Sequence, residues 1–270
     1  MADIFSIILV QPLSNALVLF YKILGQNMAI AIIAFSFFLR FAVSPLTKPA
    51  AETMKKLKEY APDIDKIKAK HKDNKEALMK AQADFYKEKG INPGAGCLPQ
   101  ILQLFIFIAL LNVFTTILSG HGQISESFNN SLYEPLKFSQ GQTLNTNFLY
   151  LDVTKPDVFK ISQIPFPIPG PVLILAAAIQ FISAKMALPY VEFEAKVAKK
   201  TKGEADDAMV AAQQSMIYTF PIITLLAGSS FPSGLALYWV VFSLYQAVVQ
   251  YQSSGWGGMT PWIKRLGLVK

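Results

Sequence analysis

The 270-residue chain is 52% hydrophobic and 16% charged, against the roughly 25% charged residues of a soluble domain. With a mean hydropathy of +0.35, this excludes an ordinary soluble protein. Several apolar runs near the roughly 20 residues a bilayer-crossing helix needs point to a small polytopic membrane protein. A net charge of +7 is then a question of which loops hold the Lys and Arg rather than a sign of nucleic-acid binding. One cysteine, Cys97, and two histidines, His71 and His121, exclude an internal disulfide framework and leave little for zinc, so no metal or cofactor is expected.

In chain order, residues 1–25 are apolar but interrupted by Pro12, Ser14, Asn15 and Lys22, which favours an external amphipathic helix on the membrane surface over a further span. Asp3 stands where a signal peptide would be positive, so a cleavable leader is not expected. A first span is predicted over 28–47, a helical hairpin over 48–91 and a second span over 92–118. A polar loop rich in Gly and Pro covers 119–170, and nothing in it suggests chemistry. A third span follows over 171–189, a short loop over 190–208, a fourth span over 209–227, a turn and fifth span over 228–252, and a tail over 253–270. The fold class is an all-α membrane protein with five transmembrane helices.

Twelve lysines lie between Lys48 and Lys89, five between Lys185 and Lys202, and three basic residues between Lys264 and Lys270; these are 20 of the 25 in the chain. Five spans put all three segments on one side, so the positive-inside rule predicts a multi-pass protein of the cell membrane with its N-terminus outside and C-terminus cytoplasmic. Six spans would leave those segments cytoplasmic as well.

Within 48–91, Met54, Leu57, Ala61, Ile64 and Ile67 recur at helical spacing, and Leu78, Gln82, Phe85 and Lys89 form a second stripe. The break at His71 to Asn74, the pair Asp73 and Glu76 as a capping box, and Gly90 as a stop predict an antiparallel hairpin. Eight acids accompany the lysines, which fits either a solvated, salt-bridged hairpin or a docking surface for a partner or anionic lipid.

Arg40 is the most informative residue, because a guanidinium stays charged and is costly in a bilayer unless it meets water, a counter-charge or the protein interior. Snorkelling toward the cytoplasm is the bland reading. Against it, Ser36, Arg40, Ser44 and Thr47 follow i, i+4, i+8, i+11 and make one polar face. Trp239, Ser243, Gln246 and Gln250 repeat the pattern in the fifth span, and two such stripes suggest a shared hydrated groove. Gln103 and Gln180 are further candidates, with Gln100, Gln213, Gln214 and Ser183; hydrogen bonds between packed helices explain isolated glutamines equally well. No span contains Asp or Glu, so a negative partner for Arg40 has to come from elsewhere, such as a substrate. None of the common hydrolase, metalloprotease, dinucleotide or phosphate-loop motifs is present, and an enzyme is not expected.

Three motifs in order resemble the YidC-type membrane protein insertases and their mitochondrial and chloroplast relatives. They are the Arg40 span ending in Pro45-Leu46-Thr47-Lys48; the run Gly90-Ile91-Asn92-Pro93-Gly94-Ala95-Gly96-Cys97-Leu98-Pro99 leading to Gln103; and Phe231-Pro232-Ser233-Gly234-Leu235-Ala236-Leu237-Tyr238-Trp239. The resemblance covers roughly 12–252. It implies a groove open to cytoplasm and lipid but closed to the outside, with Arg40 and Gln103 inside it and the hairpin matching 49–89. Phe105, Ser183, Ala184 and Ser243 depart from residues common in that family. The implied function is an insertase that moves short polar segments across the bilayer and releases apolar helices into lipid without ATP. Its implied partners are nascent or newly made membrane proteins and membrane lipids, with the ribosome and the Sec translocase as further candidates and no nucleic-acid specificity. The rival reading is a small transporter or channel for an anionic solute bound at Arg40.

Overall fold

The computed structural model describes residues 4–71, 74–92, 98–118, 123–139, 141–163, 167–187 and 204–267. These are mostly helical: a π-turn at Ser6–Val10 leads into α1 (Gln11–Ile23), followed by α2 (Met28–Glu59), α3 (Ala61–Lys70), α4 (Lys75–Glu88), α5 (Leu98–Leu118), the short α6 (Glu126–Ser131), α7 (Pro171–Ala187), α8 (Glu204–Gly228), α9 (Ser233–Ser254) and α10 (Thr260–Arg265). Among the described residues three helices are long and apolar enough to cross a membrane by length and composition: Ser6–Ile23, Met28–Thr47 and Ser233–Gln252; Leu102–Ile117, Pro171–Met186 and Ile217–Gly228 are shorter apolar helices. Large apolar side chains such as Phe41, Leu104, Ile174, Ile223, Leu226 and Val248 point outward, an arrangement that lipid, not water, accommodates.

The longest helix, α2, has 32 residues with Pro45 and Pro49 inside it. At about 1.5 Å per residue it is about 48 Å long, well beyond the roughly 30 Å hydrocarbon layer. Thr47 donates to the Ser44 carbonyl at 2.9 Å and Thr53 to that of Pro49 at 2.9 Å. The helix α2 thus continues without a break past Thr47 as far as Glu59. Beyond it, Tyr60 meets Phe85 edge-on at 5.9 Å, and Ile64 and Ile91 are buried. The N-cap of α4 is Asn74, whose Oδ1 accepts from the Ala77 amide at 3.0 Å. The expected cap, Asp73, lies outside the described residues. At the far end Gly90 adopts φ +60°, the left-handed geometry that lets the chain leave a helix.

α9 is the hub, packing against α7 and α2, while α7 also packs on α8 and α1 on α2. The buried core joins Leu17 and Tyr21 of α1, Ile32 and Phe35 of α2, Leu110 and Phe114 of α5, and Leu235 and Tyr238 of α9. Phe128, Leu132, Phe138, Leu144, Leu151 and Val153 belong to the same cluster, so the polar-looking segment between α5 and α7 inserts apolar side chains into that end of the bundle. Burying a residue of this kind contributes roughly 1.5–3 kcal/mol.

Two short antiparallel pairs, β1 (Asn147–Phe148) with β2 (Leu151–Asp152) and β3 (Val158–Phe159) with β4 (Ile168–Pro169), fix this segment. Its polar groups complete helix ends that lack internal partners. Asp157, 4% exposed, accepts from the Leu173 amide at 2.8 Å in the first turn of α7 and from the Tyr150 hydroxyl at 3.1 Å. The first amides of α9 donate to the same segment, Ser233 to the Lys155 carbonyl at 2.7 Å and Gly234 to that of Val153 at 3.1 Å. Asn27 caps α2 through the Ala29 and Ile30 amides and donates to the Asn147 carbonyl at 2.9 Å. Along α1, Gln11 donates to the Ser131 carbonyl at 3.0 Å, Asn15 accepts from the Tyr133 amide at 2.7 Å, and Lys22 donates to the Lys137 carbonyl at 3.0 Å. Three polar side chains along α1 thus meet residues 131–137.

The segment after α9 is folded as well. Trp256 packs on Tyr251 at 5.0 Å, Met259 and Ile263 bury against Met186, and the Lys185 ammonium lies 3.6 Å from the Trp262 ring centroid.

Candidate functional site

Ser36, Leu39 and Arg40 of α2, Gln103 of α5 and Tyr238 and Phe242 of α9 line a narrow crevice. Arg40 is twelve residues into α2, about 18 Å along its axis. One guanidinium nitrogen, Nη2, donates to Oε1 of Gln246, and the group lies 4.4 Å from the Phe242 ring centroid and 5.1 Å from that of Tyr245. Its Nε is buried with no hydrogen-bond partner among the described residues. The charge is therefore held by a neutral amide and two aromatic faces, a cation–π arrangement that strengthens as water is removed.

The other expected site residues divide into two groups. Gln103 is in the crevice and donates to the Tyr238 hydroxyl at 2.8 Å. Ser36 lines it too, but its hydroxyl donates back to the Ile32 carbonyl at 2.5 Å and is satisfied within its own helix. Ser44 is half-buried one turn beyond Arg40 and outside the crevice lining. Trp239 stacks on Phe107 at 5.8 Å, nearly parallel at 11°, between α5 and α9. Ser243 is 3% exposed and does not line the crevice. Gln180 is engaged elsewhere, accepting from the Thr224 hydroxyl of α8 at 2.7 Å. The side chains of Gln100, Gln213 and Gln214 lie outside the description, as does Cys97.

What composition and spacing missed is the aromatic wall. Tyr238, Phe242 and Tyr245 follow i, i+4, i+7, and this row, with Gln246 beside it, is the face of α9 that meets Arg40. The polar row through Trp239, Ser243 and Gln246 is rotated by about one residue, roughly 100° of helix, and shares Gln246 alone with it. The signal was present, but an aromatic row in a span reads as apolar until a cation is found against it. Among the described residues no three His, Cys, Asp or Glu side chains gather as metal ligands.

The helical bundle with its outward apolar band and enclosed arginine defines a polytopic membrane protein. The 60Kd inner membrane protein family profile matches residues 19–255. The chain belongs to this family, that of the YidC-type insertases. It is 28% identical over 225 residues to the membrane protein insertase YidC of Fusobacterium nucleatum, covering 83% of this chain and 85% of that protein. Over 246 residues it is 29% identical to the Caulobacter vibrioides YidC, and over 237 residues 28% identical to that of Pelobacter propionicus. Those matches cover 89% and 87% of this chain but 35% and 36% of the two relatives, so the chain spans about a third of their length.

Proposed function

We propose that this protein is a membrane protein insertase that moves short polar segments of newly made proteins across the bilayer and releases their apolar helices into lipid without ATP. The observation that carries the reading is Arg40, a permanent charge enclosed by Gln246, Phe242 and Tyr245 with no carboxylate in any span. A charge kept this way is an attractor for acidic groups arriving from outside the protein. The names of the relatives support the same activity.

In this reading five spans surround the groove, with α5, α7 and α8 crossing alongside α2 and α9, and α1 lying on the outer surface against residues 131–137. The N-terminus is outside, the C-terminus and the hairpin at 48–91 are cytoplasmic, and the buried loop closes the outer end. An incoming tail exchanges water for the polar lining near Arg40, which lowers the cost of taking its carboxylates into a medium that otherwise disfavours them by several kcal/mol each. The hairpin recruits substrate, and the ribosome and Sec translocase are candidate partners on that side.

The test is insertion of one single-span substrate carrying tails of graded acidity into liposomes. Arg40→Ala should cost on the order of tenfold for acidic tails and little for uncharged ones, while Arg40→Lys, which keeps the charge, retains much of the activity. Equal loss for every tail would remove the charge-attraction mechanism. A solute site at Arg40 would show no dependence on tail charge. The orientation is checked separately: a cysteine introduced at Lys72 should stay unreactive toward an impermeant reagent added outside intact cells.

A further inference from the structure

Arg40 is already occupied in this structure. Its Nη2 donates to Gln246, while the neighbouring Nε is buried and has no partner among the described residues. A guanidinium binds a carboxylate best through two parallel N–H bonds, and an N–H on Nε beside one on Nη2 forms such a fork. Gln246 fills half of it with one neutral oxygen. A carboxylate replacing that oxygen gains a charge-assisted bond about twice as strong as a neutral one, and it satisfies the Nε that the resting arrangement leaves without a partner. Phe242 and Tyr245 flank the group at 4.4 and 5.1 Å and hold it without adding negative charge.

Resting on the insertase reading above, we infer that Gln246 is a displaceable placeholder for the substrate carboxylate: it occupies Nη2 between substrates and sets how acidic a tail must be to engage Arg40. Gln246 is thus a positioning residue acting through Arg40. An uncharged tail offers no more than Gln246 already supplies and gains nothing by displacing it. A tail with a single carboxylate has to compete with the amide, and one with several has more chances to place a carboxylate in the fork.

The test uses the full chain reconstituted in liposomes and a single-span substrate whose tail carries zero to three Asp. Insertion is read by protease protection and normalised to the amount of folded insertase. Gln246→Leu should raise insertion of the one-Asp tail relative to the zero-Asp tail in the same variant by about tenfold, in keeping with release of a hydrogen bond to a charged group. Gln246→Glu, of the same length, supplies a permanent counter-charge and should flatten the dependence on tail acidity. Both effects should vanish in an Arg40→Ala background, since a placeholder has no action without the group it holds. Gln246→Met keeps the side-chain length and gives the same reading should the Leu variant not accumulate. Variants that follow the wild-type acidity curve would overturn the placeholder while leaving the insertase reading intact. A wild-type protein that ignores tail acidity would instead overturn the role of Arg40, and the placeholder with it.

Discussion

The two ends of α2 are built in opposite ways. At its N-terminal end, residues 123–163 bury six large apolar side chains in the common core and cap α2, α7 and α9 with hydrogen bonds from residues far away in sequence. Past its C-terminal end, the end of α4 is tied back to the end of α2 through Tyr60 and Phe85, a cation–π contact of Lys89 with Tyr60 at 5.7 Å, and a bond of Lys56 to the Gly90 carbonyl at 3.4 Å. The ion pairs there, Lys66 with Asp63 and Lys89 with Glu88, are mostly exposed and of the kind worth at most about 1 kcal/mol each. One end is a plug integrated with the bundle; the other is an amphipathic appendage with its own small interface. An integrated plug suits a closed end, and a loosely held hairpin suits one that samples partners.

The contrast can be broken most severely at Gly170. A Cβ there would lie 1.8 Å from Oδ1 of Asp157, so Gly170→Val has to expel the carboxylate that caps α7. Overpacking and loss of the cap together should cost roughly 3 kcal/mol or more, seen as a large fall in folded protein by size-exclusion chromatography in detergent. Asp157→Ala, which removes the cap without the clash, should cost about 1–3 kcal/mol and lower the thermal midpoint measurably.

Replacing residues 50–89 by a short flexible linker tests the other side of the comparison. The thermal midpoint of the bundle should move little, while insertion slows several-fold; unchanged crosslinking of nascent chains would mark the hairpin as a solvated face instead. The smallest effect concerns acid. Burial raises the Asp152 carboxyl, but bonds from the Thr154 hydroxyl and amide and from Lys155 outweigh it and hold the group below the ordinary aspartate range. A depressed carboxylate contributes stability that is complete above its unfolded pKa, about 3.9, and is lost as the pH falls through the folded value. Acid should therefore weaken the loop end below about pH 4, by a modest amount because the pair is partly exposed. Asp152→Asn should remove that part of the pH dependence in unfolding curves; an unaltered acid limb would show that Asp152 contributes nothing there.

Much of this architecture was legible in the sequence because hydropathy and helical period are local. The apolar runs gave the main helices, Arg40 stood out by the cost of its charge, and three short motifs pointed to the family that the profile match identifies. In the hairpin segment Ile64 is buried and Phe85 meets Tyr60, while the N-cap of α4 is Asn74. The placement of α1 is a harder case. Taken with the π-turn before it, Ser6–Ile23 is long and apolar enough for a span, whereas Gln11, Asn15 and Lys22 all bond to residues 131–137, which local pattern cannot anticipate.

Tertiary structure alone decided which side chains meet. The rotation of α9 about its axis brings Tyr238 and Phe242 to the crevice, Gln246 to the Arg40 guanidinium and Trp239 onto Phe107, and a single helix's pattern cannot fix its rotation against a neighbour. Gln180 looked equivalent to Gln103, yet one bonds Thr224 between α7 and α8 and the other reaches Tyr238. The segment 123–163 looked like an inert polar loop because its backbone carbonyls carry no sequence signature. Folded, those carbonyls and the buried Asp157 complete helix ends that have no partners of their own, and its scattered apolar residues find a shared core only when the chain brings them together.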